Sequence, residues 1–327
     1  MKRVILINGL LFILLCNLLS KEIMAKDKLV FAVMGERGAQ LNYILLMAES
    51  IRTFGGQFKE APIWVYLPPA MMELSDNMKN KLDSFDVEIK EVEAPPKSLW
   101  YYFSRKVYAA AKAEEDALDE FEFLAWLNYD TILLNEPAEF ILPEKVSFGY
   151  RPVMHKNIGL LYNEPLDEFW QKSFTLMSVD EKNIFPVITP ADGDSIKPYI
   201  NAGCLIVRPE KRIMKEWVGK FEELYNDARL TELCGQDRLH RIFIHQVALT
   251  GVLLNYLNKD EFIELSEYVN YPFFFKEMFG SKKDFHDVTG VIAFRHEAFF
   301  NNPEKGWQEK LKGPKDKVDW IITKFGD

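Results

Sequence analysis

"FLAWLNYDTILLNEP", Phe123 to Pro137, decides how this chain is read. An apolar run breaks at Asn128, offers Asp130 two positions later, and resumes as Ile132-Leu133-Leu134. Short apolar runs of this kind suit a strand buried on both faces, the usual state of strands in a parallel sheet. In an open α/β sheet, ligands collect beyond the carboxyl ends of the strands. A strand that ends at the polar pair would carry two oxygen-bearing side chains to that edge. If the backbone stays extended, both point the same way, and two oxygens on one side suit a hard divalent cation. The plainer alternative is a turn, because Asn and Asp both bond their own backbone there.

Upstream, strand-like and helix-like segments alternate. "KLVFAVM" (Lys28–Met34) reads as a first strand, Asn42–Phe54 as a helix stopped by Gly55-Gly56, and "PIWVYLPP" (Pro62–Pro69) as a second strand. A helix around Met72–Phe85 and a strand at Val87–Val92 follow. From Ser98, "SLWYYFSRKVYAAAKAEED" predicts a helix with Trp100, Phe103, Val107, Ala110 and Ala111 on one face and Ser98 as its N-cap. This alternation predicts an α/β fold with a mainly parallel sheet and helices on both faces.

Downstream the pattern is less regular. A strand is expected at Val146–Pro152, a loop with Pro186, Pro190 and Gly193 over 178–197, and a strand in "YINAGCLIVRPE" (Tyr199–Glu210). Helices are expected at Arg212–Leu224 and Ile242–Leu257, and a last strand in "VTGVIAFRHEAFF" (Val288–Phe300). No linker-like stretch follows residue 26, so 26–327 reads as one domain.

The first 25 residues read differently. Met1-Lys2-Arg3 supplies a positive end, Val4 to Leu19 is mostly apolar, and Ile23-Met24-Ala25 offers a small-residue cleavage site. That is the pattern of a secretory signal peptide, and the run is shorter than the ~20 residues of a comfortable membrane span. Export through the secretory pathway is expected, with membrane association through an uncleaved segment as the alternative. The whole chain carries a net charge of −9, which becomes −11 without residues 1–25. Such an acidic chain, with no basic stripe, argues against nucleic-acid binding. Two cysteines, Cys204 and Cys234, lie beyond that segment. They could form one disulfide but make no disulfide framework, and there is no CxxC or HExxH.

Helix, apolar strand, then "LNYDTILLNEP" resembles the nucleotide-sugar glycosyltransferases of the GT-A fold, which usually read Asp-x-Asp there. Three more pieces fall in the order of the glycogenin-like branch. "YINAGCLIVRP" resembles its Asn-Ala-Gly strand, "FIHQVALTGVLLNYL" sits where an Asp-Gln helix follows, and "IAFRHEAFF" resembles the late strand whose histidine binds metal. Four modest motifs in one order carry the likeness over most of residues 28–300.

The resemblance implies a GT-A-like mixed sheet and sugar transfer from a nucleoside-diphosphate sugar to the hydroxyl of a glycan or glycoconjugate, leaning toward retention. It implies a manganese or magnesium ion held by Asn128, Asp130 and His296. Lys106 and Gln246 are implied as donor contacts, and Asn201 as a sugar or acceptor contact. Asp130 and Asn201 carry the catalytic roles. Asn128 and His245 depart from the family's aspartates. At ~4 Å and an effective dielectric of 20, each lost charge is worth about 4 kcal/mol to a bound cation. An exported, non-catalytic carbohydrate-binding module of the same fold is therefore the alternative function. Plainer roles remain open too: His296 as a core histidine, Asn201 bonding a neighbouring loop, Lys106 as a solvated helix residue. Asp192 and Asp194, in "ADGDS", are read as solvated turn residues or as part of a lid.

Overall fold

The computed structural model describes residues 28–36, 38–297 and 299–326, so the expected signal peptide lies outside the described residues. Strand β1 (Leu29–Met34), helix α1 (Gly38–Phe54), β2 (Ile63–Leu67), α2 (Asp76–Asp83), β3 (Val87–Glu91), α3 (Ser104–Ala117) and β4 (Phe123–Leu127) alternate along the chain. Then come β5 (Thr131–Leu133), β6 (Phe148–Tyr150), α4 (Glu168–Leu176), β7 (Val187–Ile188), β8 (Ser195–Ile196) and β9 (Cys204–Val207). Helices α5 (Ile213–Asn226), α6 (Ala228–Gln236) and α7 (Arg238–Asn255) lead to β10 (Phe262–Glu264), β11 (Tyr271–Pro272) and α8 (Phe275–Phe279). Strand β12 (Ala293–Arg295), α9 (Trp307–Lys310) and α10 (Lys315–Phe325) complete the order.

The main sheet runs β10-β6-β9-β4-β1-β2-β3, and only the two pairings made by β9 are antiparallel. Its strands alternate strictly between two cores. Val30, Ala32, Leu124, Trp126, Leu205 and Val207 pack with Val107 of α3, Trp170 of α4 and Trp217 of α5. Leu29, Phe31, Phe123, Leu127, Cys204 and Ile206 pack with Ile44 of α1 and Leu82 of α2. Each fully buried aliphatic or aromatic side chain contributes about 1.5–3 kcal/mol. Apolar central strands thus produce the expected mixed, mainly parallel sheet with helices on both faces.

Strand β4 ends where the polar pair begins. The Asn128 N–H donates to the Gly203 carbonyl (2.8 Å), and the Thr131 N–H donates to the Asn128 carbonyl (3.1 Å). The chain therefore turns at Asn128-Tyr129-Asp130 instead of staying extended. Strand β5 then leaves for a second sheet, β11-β12-β5, with Arg295 paired opposite Thr131. Leu127 pairs with Val33 on one side and Cys204 on the other, so the ends of β1 and β4 and the entrance to β9 share one edge.

The helix expected from Ser98 begins later. Pro96–Trp100 forms a 3-10 turn, the Ser98 hydroxyl donates to the Pro95 carbonyl (2.8 Å), and α3 starts at Ser104. Proline fixes φ at Pro95 and Pro96 and favours a tight turn before the helix; Trp100 is left 43% exposed. Cys204 and Cys234 are separate buried thiols, not a disulfide, and burial pushes each up to about 12.

Glu114 ties α3 to α5. Its fully buried carboxyl accepts from the Met214 N–H (2.9 Å) and the Lys215 N–H (3.0 Å), which begin α5. Burial pushes it up to about 7, against the opposing pull of those backbone bonds. Because the folded value lies above the ordinary 4.5, the neutral form favours folding: its contribution is full below pH 4.5 and is lost as pH rises through about 7. We predict that Glu114→Gln removes roughly 3 kcal/mol of that pH-dependent loss. Thermal melts of both proteins between acidic and neutral pH check this, and parallel curves would reject it.

Candidate active site

Two cavities open at the shared sheet edge, of about 200 and 270 Å³. Each is below the ~300–1,000 Å³ usual for small-molecule sites. They share Phe103, Lys106, Asn128, Arg295 and Glu297 as a common wall, so together they make one cleft. The cavity nearer β1 is reached by Met34, Gln40, Tyr102 and Asp130, the other by Asn201, Gly203, His245 and Gln246.

The common wall is charged. Asp130, on the turn after β4, is 2% exposed and grips Arg295 at the end of β12 with both oxygens (Nε–Oδ1 3.2 Å, Nη2–Oδ2 3.3 Å). The Glu297 N–H also donates to Asp130 Oδ2 (3.1 Å). Burial alone would raise the Asp130 carboxyl, but Arg295, His296 and Lys106 outweigh it and hold it below the usual range. Glu297 returns to Arg295 Nη2 at 2.7 Å from a left-handed backbone, φ 44°. Burial raises its carboxyl, and Arg295 works the other way. The half-buried Lys106 of α3 donates to Asn128 Oδ1 at 2.6 Å and sits 4.7 Å from the Phe103 ring centre. Burial, with Arg295 adding to it, lowers its ammonium to about 8.

Asn201 turns the chain into β9 and faces the same group. Its Oδ1 accepts from the Gly203 N–H (2.8 Å) and from Arg295 Nη1 (3.5 Å). Gly203 provides space for this contact, because a Cβ there would lie 2.6 Å from Arg295 Nη1 and 2.8 Å from Asn201 Oδ1. We predict that Gly203→Ala leaves the fold intact, displaces the guanidinium, and weakens donor binding by about tenfold. Calorimetric titration checks this; parental affinity would refute it. Gln246 of α7 is buried, and its Oε1 has no hydrogen-bond partner among the described residues. His245 beside it donates Nδ1–H to the Ile242 carbonyl (3.0 Å), and burial keeps its ring neutral.

His296 follows Arg295 but takes another course. Its ring lies among Tyr43, Phe300 and Phe325, with centroid separations of 4.7, 5.3 and 5.5 Å. It is fully buried, lines neither cavity, and is pushed by burial down to about 4. A manganese or magnesium ion needs open oxygen or nitrogen ligands. Here Asp130 is engaged by Arg295 and Glu297, Asn128 is engaged by Lys106, and the His296 ring is enclosed by aromatic groups. No group of three or more His, Cys, Asp or Glu side chains among the described residues could hold a metal. The side chains present therefore do not fit the cation expected from Asn128, Asp130 and His296, because a guanidinium has the carboxylate.

Asp192 and Asp194 lie in the turn joining β7 and β8, where Asp194 pairs with Lys282 (3.0 Å), and neither lines the cleft. Arg295 and Phe103 were not anticipated. Arg295 and Glu297 flank His296 in the quoted late strand, and three ionisable residues ending an apolar strand were a readable sign.

Solved structures similar to this chain include a galactosyltransferase, LgtC, in complex with donor and acceptor sugar analogs. It is 13% identical over 89% of this chain and 95% of that one, with a TM-score of 0.49. Mouse xyloside xylosyltransferase 1, apo form, is 11% identical over 85% of this chain and 99% of that one, with a TM-score of 0.48. No curated protein sequence matches. The family described as Rhodobacterales glycosyltransferase domain matches residues 31–255, from within β1 to the end of α7 and well over half the chain. The chain belongs to that family and is a glycosyltransferase.

Proposed function

We propose that the cleft binds a nucleoside-diphosphate sugar beside β1 and β4 and passes its sugar to a glycan or glycoconjugate hydroxyl beside β9 and α7. The observation that carries this reading is the charged wall common to two cavities at the carboxyl edge of the sheet. Lys106, Asn128 and Asp130 belong to the donor side. Asn201 and Gln246 line the second cavity, so we assign Gln246, first implied as a donor contact, to the acceptor side with Asn201; its Oε1, without a partner among the described residues, is suited to accept from a sugar hydroxyl. In the reaction, the bond from the anomeric carbon to the diphosphate oxygen breaks, and its electron pair leaves with that oxygen. The acceptor oxygen bonds to the same carbon and gives its proton to the departing diphosphate. Retention of configuration is our reading from the order of the glycogenin-like motifs, and the GT-A-like sheet is compatible with it.

Export remains our reading of residues 1–25, and a single domain our reading of 26–327. The transferase reading is tested by melting the full chain with nucleoside diphosphates and their sugars. Saturable stabilisation, about 2.7 kcal/mol at a hundredfold excess over Kd, is expected. Stabilisation by free glycans alone would favour a carbohydrate-binding module instead.

A further inference from the structure

We propose that Arg295 and Lys106, in place of a divalent cation, supply the positive charge that the leaving diphosphate requires. This rests on the donor reading above and makes it specific. A metal-using cleft must keep its acidic oxygens open for the ion. Here Asp130, nearly devoid of solvent contact, spends both oxygens on the Arg295 guanidinium, and Asn128 offers its oxygen to the Lys106 ammonium. An amide suits that second task, since it orients a cation without neutralising it. Asn128 is thus a positioning residue for Lys106, as Asp130 is for Arg295.

Placement supports the same assignment. Arg295 and Lys106 both line both cavities, so both cations stand where donor and acceptor would meet. Gly203 leaves room for Arg295 Nη1, whose hydrogen bond to Asn201 Oδ1 is long at 3.5 Å. Guanidinium has five donors in a fixed fork that matches phosphate oxygens, and charge-assisted bonds of this kind are about twice as strong as neutral ones. Glu297, whose side chain is far more exposed than that of Asp130, is the anion that the diphosphate displaces from Arg295. When the anomeric C–O bond breaks, the electron pair and the negative charge remain on the diphosphate oxygen, where both cations donate N–H groups. Fixed cations aimed at developing charge need no reorganisation during the reaction.

The test uses the full chain, stripped with EDTA and titrated calorimetrically with uridine, guanosine, adenosine, cytidine and thymidine diphosphates. For any diphosphate that binds, the Kd with EDTA should stay within about threefold of that with excess manganese or magnesium. Arg295→Lys, which keeps the charge but loses the fork, should weaken binding by about tenfold, and Lys106→Met by at least as much. Tightening beyond threefold on adding either metal would overturn the proposal, as would parental affinity in both variants. If no diphosphate binds with or without metal, the donor reading itself fails and takes this inference with it. Binding that requires metal overturns this inference alone.

Discussion

Changing Asp130 to asparagine lowers kcat/KM for sugar transfer by about 10²–10³-fold while the chain still folds. The carboxylate never needs to touch the donor for this. It holds Arg295 by two bonds at 3.2 and 3.3 Å, deep in the wall between the cavities. An amide keeps one acceptor but loses the charge and the second acceptor, so the guanidinium swings toward Glu297. Alanine is the poorer probe, because it strands a buried guanidinium and adds a folding penalty of about 3–5 kcal/mol. Transfer assays on D130N, paired with thermal melts, separate the two effects. A variant that melts like the parent and also turns over like it would remove Asp130 from the site.

Replacing Trp217 by alanine costs about 3–5 kcal/mol of stability, the expected price of truncating a fully buried tryptophan. Trp217 is fully buried on α5, and its Nε1–H donates to the His245 carbonyl at 2.6 Å. Truncation opens a cavity between α5 and α7 and removes the donor from that carbonyl. Gln246 is the next residue, so the wall of the second cavity loosens as well. Denaturant titration should show a lower midpoint, and acceptor KM should rise more than donor KM. An unfolding free energy within about 0.5 kcal/mol of the parent's would contradict the packing described here.

The sheet was legible because its strands are short, apolar and spaced by helices of the right period. Phe123–Leu127 could only be buried on both faces, and the alternating cores show that it is. The break at Asn128 was legible as a strand end or a turn, but nothing in it foretold that β5 joins a second sheet. Helix starts were less so: Trp100 shares helical spacing with Phe103 and Val107, yet Pro95 and Pro96 impose a 3-10 turn first. The cleft residues Lys106, Asn128, Asp130, Asn201 and Gln246 were nominated from motifs, and the fold brings all five to one edge. His296 was nominated in the same way, but its ring packs into an aromatic cluster. What one sequence does not display is pairing across 165 positions. The Arg295–Asp130 contact depends on β12 meeting β5, and local spacing carries no trace of it.

The central claim is that the cleft between β1, β4 and β9 is where the donor diphosphate lies. Photoaffinity labelling with azido-nucleoside diphosphates, competed by the unlabelled compounds and mapped by mass spectrometry, tests it most directly. The account predicts competed label on the peptides carrying Met34 to Gln40 and Tyr102 to Lys106. Competed label confined to peptides distant from that edge, such as the exposed face of α10, would contradict it.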